Sequence, residues 1–489
     1  MTGHPAGLAR LGTEHWATSA YARTELPERA LQFGTGMLLR AVSAAAVDAA
    51  NRAGALPGRS VVVQSTPYGC AGAMNAQAGL FTLVERGLER GRPVERTRLV
   101  GSLSRALVAD LEWAAVRDVV TRPELRVIVS NVTEAGFRLE AAFPARLVDL
   151  LHARFERLPD GPAVFVIPTE LVPDNGPRLA EMVDHLAAKR DRGAAFRDWL
   201  SGRVRFCSSL VDRITTGAPE SGARAELESR LGYRDALLTV TEPHCLWAIQ
   251  ADPDALRQAF PIEAPPAVIV APDIGFYSER KLKLLNGAHT VLAPLALLAG
   301  VATVREAAEH PRLGPFLRQI LFEEIVPATD LPLDAAESFA RTVVDRFRNP
   351  WLEHRWQVIA TNQTAKLRLR VVPSIVGFTA KRGRVPQGLA LGCAAYLRVM
   401  RPVAQCAVDD VERPLISRHW RAVDPDAAPS PAPAETLERL AARALGDAEL
   451  WGTNLAELPG FLEAATRWLL ALEREGVDAA LETLCGTTA

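Results

Sequence analysis

The stretch Arg29-Ala-Leu-Gln-Phe33-Gly34-Thr-Gly36, followed by an apolar pattern of helical spacing from Leu38 to Ala50, decides the fold. It reads as strand, glycine turn and helix, the opening unit of a doubly wound α/β domain. Small residues at such a turn let backbone N–H groups approach a pyrophosphate, and the helix N-terminus adds a favourable dipole. The third glycine of a G-x-G-x-x-G pattern is absent, because Leu39 stands there. An ordinary tight strand-to-helix turn therefore fits the same residues.

Outward from this turn, Ser60-Val-Val-Val-Gln64 and Arg126-Val-Ile-Val-Ser130 read as the next strands, with helices between them. Ala163 to Ile167, Leu237 to Val240 and Ala267 to Ala271 are further candidates. Continuous β-branched runs alternating with helices signal a parallel sheet covered on both faces. The acidic residue that usually meets the adenosine ribose is missing from the end of the second strand, where Gln64-Ser65-Thr66 stand instead. No arginine for a 2′-phosphate follows at once, so the residues alone leave NAD and NADP both open. Beyond about residue 275 long helical patterns take over. The expected layout is a Rossmann-like dinucleotide-binding domain over residues 1–272 and a mainly α-helical substrate-binding and catalytic domain over 273–489. A Pro/Ala-rich loop, Asp424 to Ala434, interrupts the second.

The chain has 489 residues, 48% of them apolar, and 56 basic against 57 acidic side chains leave a formal charge of −1. Such a balance offers no broad attraction for nucleic acid or anionic lipid, so a small-molecule ligand is expected. The longest apolar stretch, Thr290 to Val304, is broken by Pro294 and Gly300 and is too short for a bilayer of about 30 Å; it reads as a buried core helix. Six cysteines without a C-x-x-C pair, and an N-terminus without a continuous apolar segment, point to the reducing cytoplasm and mostly buried thiols. No H-E-x-x-H occurs and the nine histidines lack metal-ligand spacing, so metal-independent chemistry is expected.

Tyr277-Ser-Glu-Arg-Lys281-Leu-Lys-Leu-Leu-Asn286-Gly-Ala-His289 is the stretch that bears on chemistry. On an α-helix Asn286 falls about 140° and His289 about 80° from Lys281, so the three fan across one side. Lys283 points away and reads as a solvated surface lysine. Interconverting a carbinol and a ketone needs a group that takes or returns the hydroxyl proton. A lysine does both where desolvation brings its pKa toward the working pH. The Asn286 amide would polarise the carbonyl, and His289 would hold the lysine or a substrate hydroxyl. A plain amphipathic helix with a surface lysine and a core histidine fits the same residues.

Lys281-x-x-x-x-Asn286-x-x-His289 resembles the signature of the polyol-specific long-chain dehydrogenases, the mannitol dehydrogenase family. Further segments resemble it in the same order: Phe33-Gly-Thr-Gly36 with Arg40, Gln77-Ala-Gly-Leu-Phe-Thr82, Ser130-Asn131-Val-Thr133-Glu-Ala-Gly136, Ser209-Leu-Val-Asp212-Arg213-Ile-Thr215, and Arg346-Phe-Arg-Asn349-Pro350. The likeness spans about residues 29 to 400. It implies Lys281 as general acid/base with Asn286 and His289 beside it. It also implies a cofactor site at Phe33, Gly34, Thr35, Gly36, Arg40, Asn131 and Thr133, NAD in preference to NADP, and no metal.

Two departures from the family pattern point to a sugar acid as substrate. Thr169-Glu170-Leu171 and Asn175-Gly176 stand where the polyol enzymes have Cys-Asp-Asn-Leu-Pro-x-Asn-Gly, so a polarising asparagine becomes Leu171; an arginine expected eight residues before Lys366 is Val358. The resemblance then implies reduction of a keto-uronate, D-tagaturonate to D-altronate. Fructuronate reduction, hexitol oxidation and a catalytically silent NAD-binding sensor remain as alternatives. A uronate carboxylate calls for an added cation. Lys366 is the family-matched candidate, ahead of Arg213, Arg346, Arg348 and Arg355. Asn175 would help polarise the carbonyl, and Asp212 either accepts a substrate hydroxyl or pairs structurally with Arg213. The expected partner is a small sugar acid, with no nucleic acid or membrane, and the expected state a monomer or small homo-oligomer.

Overall fold

The computed structural model describes residues 8–18, 26–55, 57–215, 217–402, 408–425 and 431–486. It contains twelve strands among them: β1 Glu28–Phe33, β2 Arg59–Gln64, β3 Phe81–Glu89, β4 Arg92–Val100, β5 Leu103–Val108, β6 Val127–Ser130, β7 Val164–Pro168, β8 Val204–Phe206, β9 Ser209–Asp212, β10 Thr239–Thr241, β11 Leu246–Gln250 and β12 Val268–Ala271. Two compact units result, one of residues 1–86 and 94–275, the other of residues 87–93 and 276–489.

The first unit is α/β. Its main sheet has the order β5-β2-β1-β6-β7-β8, and each neighbouring pair runs parallel. The order reverses between β1 and β6, which is where a doubly wound sheet opens a crevice beyond the carboxyl ends of its strands. Alternation along β1 feeds two cores: Leu31 and Phe33 pack with the helices Ala109–Val120 and Ala142–Arg157, whereas Ala30 packs with Val42, Val47 and Trp247 on the opposite face. Both faces are buried, as the continuous Val/Ile runs require. Trp247 is fully buried, a core side chain of this face.

Between β2 and β6 the sequence suggested helices only. The structure has three strands there, two of them a hairpin with Arg90 (φ 52°) and Gly91 (φ 73°) at its turn. Charged residues along Glu85-Arg-Gly-Leu-Glu89 and Arg92 to Arg98 hid the hairpin, since its exposed positions carry polar side chains in a strand as they would in a helix.

The second unit is helical, around one large core that includes Leu284, Leu292, Phe316, Trp356, Leu389 and Trp468. The apolar stretch expected as one core helix ends early. The helix runs from Ala288 to Leu298, Gly300 takes φ 72°, and Thr303 caps the next helix through a capping box with Glu306. Pro294 lies inside the helix and has no N–H for the carbonyl of Thr290. That carbonyl accepts instead from Gln363 Nε2 at 2.7 Å, which ties the helix Gln363–Arg370 to this one.

Residues 426–430 of the Pro/Ala-rich segment, and Cys406, lie outside the described residues. Among the described residues no helix is long and apolar enough to cross a membrane, and no group of three or more His, Cys, Asp or Glu could hold a metal ion.

Candidate active site

In the first unit the glycine turn leaves β1 at the crevice. Gly34 has φ 122°, and a Cβ there would lie 2.8 Å from the carbonyl oxygen of Asn131. Only glycine fits both demands. Gly36 caps the helix that starts at Met37, is exposed, and would place a Cβ near no other atom. A bare backbone at a helix N-terminus beside a switch point suits a dinucleotide pyrophosphate. Leu39, in the place of the third glycine, is buried in the core.

Two residues expected at the cofactor do other work. The Phe33 side chain is fully buried and meets Phe143 edge-on at 5.2 Å, so only its backbone borders the turn. Arg40 is buried and donates to Thr35 O (2.6 Å), Thr239 Oγ1 (3.0 Å) and Cys70 Sγ (3.4 Å), bracing the turn from behind. Burial lowers its pKa from the ordinary arginine range. Gln64 also turns inward: Nε2 donates to Thr66 O (3.0 Å) and Oε1 accepts from Ala71 N (3.0 Å).

The turn Ser130–Thr133 follows β6. Asn131 N donates to Phe33 O (3.0 Å) and Asn131 Nδ2 to Thr169 Oγ1 (3.0 Å), while Thr133 is exposed with φ 67°. Glu170, which sequence reasoning passed over, accepts from Val132 N (2.9 Å) and Ser130 Oγ (3.1 Å); burial pushes its carboxyl up against the pull of these bonds.

Asn175 is a correction. Its Nδ2 donates to the carbonyls of Pro168, Glu170 and Ser209, and its Oδ1 accepts from Ser209 N at 2.9 Å. With 1% of its surface exposed, the amide staples β7 to β9 and does not polarise a substrate carbonyl. Asp212 does not pair with Arg213 either. Arg213 bonds Ala41 O, Thr241 Oγ1, Glu242 O and Glu85, whereas Asp212 Oδ2 lies 3.3 Å from His244 Nε2.

In the second unit Lys281 and Asn286 stand on a π-helical segment, Arg280–Gly287, continuous with the helix Ala288–Leu298. The fan of 140° expected on an α-helix therefore does not apply. Hydrogen bonds from i to i+5 stack the sixth residue of such a segment over the first, which brings Asn286 one turn above Lys281. Both are half-buried. Lys283 is not solvated but bonds Glu279 at 2.7 Å, and Arg280 lies over the rings of Phe276, Tyr277 and Phe339.

His289 is buried, with Nδ1 3.0 Å from the carbonyl oxygen of Leu285. A carbonyl only accepts, so Nδ1 carries the proton and Nε2 presents a lone pair that no group among the described residues meets. Phe347, His354 and Trp356 enclose the ring at centroid distances of 4.0, 5.3 and 6.0 Å. Burial, then the charges of His354, Arg346 and Arg370, hold His289 well below the usual histidine range. His354, absent from the sequence motifs, is lowered to about 4 by burial and by Lys366 and Arg346. Lys366 Nζ donates to Ile359 O at 2.8 Å. Arg370 follows Lys366 by one helical turn, a spacing that alone would have placed both on one face. Asn349 is buried and its Oδ1 accepts from Trp351 N at 3.0 Å, turning the chain toward His354. Leu171 and Val358 are exposed apolar side chains.

The low pKa of His354 has a consequence for stability. An unfolded histidine titrates near 6.5, so between that value and about 4 the unfolded chain binds more protons than the folded one. The stability is full above pH 6.5 and is lost as pH falls toward 4, by about 3 kcal/mol for this group. His354→Asn should show a correspondingly smaller drop in unfolding temperature between about pH 7.5 and pH 4.5. Identical drops in the two proteins would exclude His354 as a source of the acid sensitivity.

Two family models match the chain. The one described as the mannitol dehydrogenase Rossmann domain matches residues 28–260, and the one described as the mannitol dehydrogenase C-terminal domain matches 273–472. Altronate oxidoreductase of Bacillus subtilis is 31% identical over 475 residues, covering 94% of this chain and 96% of that one. Altronate oxidoreductase of Cronobacter sakazakii is 35% identical over 474 residues, covering 94% and 97%. Among solved structures, Pseudomonas fluorescens mannitol 2-dehydrogenase, in a ternary complex with NAD and D-mannitol, shares the fold with a TM-score of 0.72 at 24% identity, covering 98% of this chain and 99% of that one. The chain belongs to the mannitol dehydrogenase family, as an oxidoreductase acting on CH–OH groups.

Proposed function

We propose that the protein reduces a keto-uronate, D-tagaturonate to D-altronate, with NAD(H) and without a metal. One observation carries the choice of an anionic sugar: Arg346 and Arg370 act on His289, and Lys366 and Arg346 act on the neighbouring His354. Cations gathered at these two histidines suit a carboxylate. The similarity to altronate oxidoreductases over 94% of the chain supports the same substrate.

The residues divide the work by their chemistry. The Gly34–Gly36 turn and the Ser130–Thr133 turn would hold the dinucleotide, which when bound supplies the hydride. Lys281 delivers a proton to the carbonyl oxygen as it becomes a hydroxyl, and takes it back in the reverse direction. The Asn286 amide donates a hydrogen bond to the same oxygen, where negative charge develops. His289, fixed as the Nδ1–H tautomer, accepts a hydrogen bond from a substrate hydroxyl at Nε2. Lys366 supports the substrate carboxylate. The family resemblance favours NAD over NADP; Arg146, which reaches the turn after β2 through Ser65 O, is paired with Asp110.

A panel of D-tagaturonate, D-fructuronate and D-fructose, each with NADH and NADPH, tests the reading. Turnover of D-tagaturonate with NADH, and little with the other sugars, is expected. Preferred turnover of fructuronate or fructose would replace the substrate, and NADH binding without turnover of any would replace the enzyme by a sensor.

A further inference from the structure

We propose that Glu170 is a positioning residue of the cofactor crevice, its side chain setting the turn Ser130–Thr133 and, through that turn, the glycine turn after β1. The inference rests on the reading of the crevice as a dinucleotide site.

Glu170 stands just beyond the carboxyl end of β7, is 3% exposed, and spends its two oxygens on one short segment of the neighbouring strand's turn. Oε1 accepts from Val132 N (2.9 Å) and Oε2 from Ser130 Oγ (3.1 Å). Thr169 supports the same segment: its hydroxyl and its backbone N–H both donate to Ser130 O (2.7 and 2.9 Å), and its Oγ1 accepts from Asn131 Nδ2 (3.0 Å). Residues 169 and 170 thus meet polar groups of Ser130, Asn131 and Val132 in turn. A buried carboxyl is retained where donors converge on it, since it is costly anywhere else.

The constraint travels one strand further. Asn131 N donates to Phe33 O at 3.0 Å, and Asn131 O is the atom that a Cβ on Gly34 would strike. Where Asn131 sits therefore decides how much room the glycine turn has. Thr133, next in the chain, holds φ 67°, a left-handed conformation that β-branched residues rarely adopt and that persists only when its surroundings impose it. The two turns flank the switch point between β1 and β6, where the sheet opens. Releasing the second turn would let both relax away from the shape that receives the dinucleotide.

Glu170→Asp, Glu170→Ala and Glu170→Gln in the full chain separate this role from a general structural one. The readouts are the NADH dissociation constant by fluorescence titration, kcat at saturating NADH, the KM for the keto-sugar, and the unfolding temperature. Aspartate is one methylene too short to reach both donors, and alanine has no acceptor. Each should weaken NADH binding about tenfold or more, with kcat and the sugar KM held within about twofold. Glutamine keeps an acceptor for Val132 N and turns its amide to Ser130 Oγ, so it should restore NADH affinity. Unchanged NADH affinity in a folded Asp or Ala variant overturns the proposal, as does a Gln variant as weak as Asp. Should alanine fail to fold, the Asp and Gln pair decides. A native protein that binds neither NADH nor NADPH overturns the dinucleotide reading itself, a result distinct from equal affinities across the series.

Discussion

Replacing Lys281 by alanine is expected to lower turnover by about 10³-fold or more while NADH affinity stays unchanged. Proton transfer by a positioned group contributes about 10²–10⁴ to such a reaction, and loss of the ammonium's charge near the carbonyl oxygen adds to it. Cofactor affinity is spared because the lysine acts on the substrate's carbonyl oxygen, whereas the glycine turn would hold the dinucleotide's pyrophosphate. The pH profile sharpens the test. His289 lies well below the usual range and His354 at about 4, so neither changes charge near neutral pH. A limb of the neutral-to-basic rate profile that vanishes in Lys281→Ala then reports the lysine. Turnover within tenfold of the native enzyme, or an unaltered profile, would remove Lys281 from the proton transfer.

Gly34→Ala should abolish useful dinucleotide binding, weakening it about 100-fold, or about 3 kcal/mol. A Cβ at this position meets Asn131 O at 2.8 Å, and φ 122° is strained for any L side chain. The obstructing atom is backbone, so relief requires moving the Ser130–Thr133 turn, not rotating a side chain. Gly36→Ala is the informative comparison. Its Cβ meets no protein atom within 4 Å, so a loss of affinity there reports crowding of the ligand alone. Both constants come from NADH titration with the unfolding temperature as a check. Native-like affinity in Gly34→Ala would mean that this turn does not receive the dinucleotide.

Much of the frame was legible from residue pattern. The runs Ser60 to Gln64 and Arg126 to Ser130 became β2 and β6 because a buried parallel strand needs β-branched side chains on both faces. The motif around Lys281 was legible too, although its geometry was not. Five-residue spacing of Lys281 and Asn286 matches an i to i+5 turn, yet the α-helix is so much commoner that spacing alone gives no reason to choose the π form. Asn175 was misread for a related reason, whereas Arg213 takes the structural role that is the default for an arginine. An amide or guanidinium in a motif looks the same whether it meets a ligand or three carbonyls, and only the folded chain shows that Pro168, Glu170 and Ser209 take up the Asn175 amide.

What the sequence determined by itself was local: the principal parallel strands, the Gly34–Gly36 turn, the family, and the motif that carries Lys281, Asn286 and His289. Local order follows from side-chain periodicity and backbone preference, which act within a few residues. The tertiary structure decided which polar groups are spent and which are left to act. It engaged Arg40, Asn175 and Arg213 in bracing, lined up Lys281 with Asn286 on a π turn, left His289 Nε2 without a hydrogen-bond partner among the described residues, and brought the charges of His354, Arg346 and Arg370 to bear on His289 and that of Lys366 on His354. Those outcomes depend on burial and on hydrogen-bond partners that lie tens to hundreds of residues away in the chain, where periodicity carries no information.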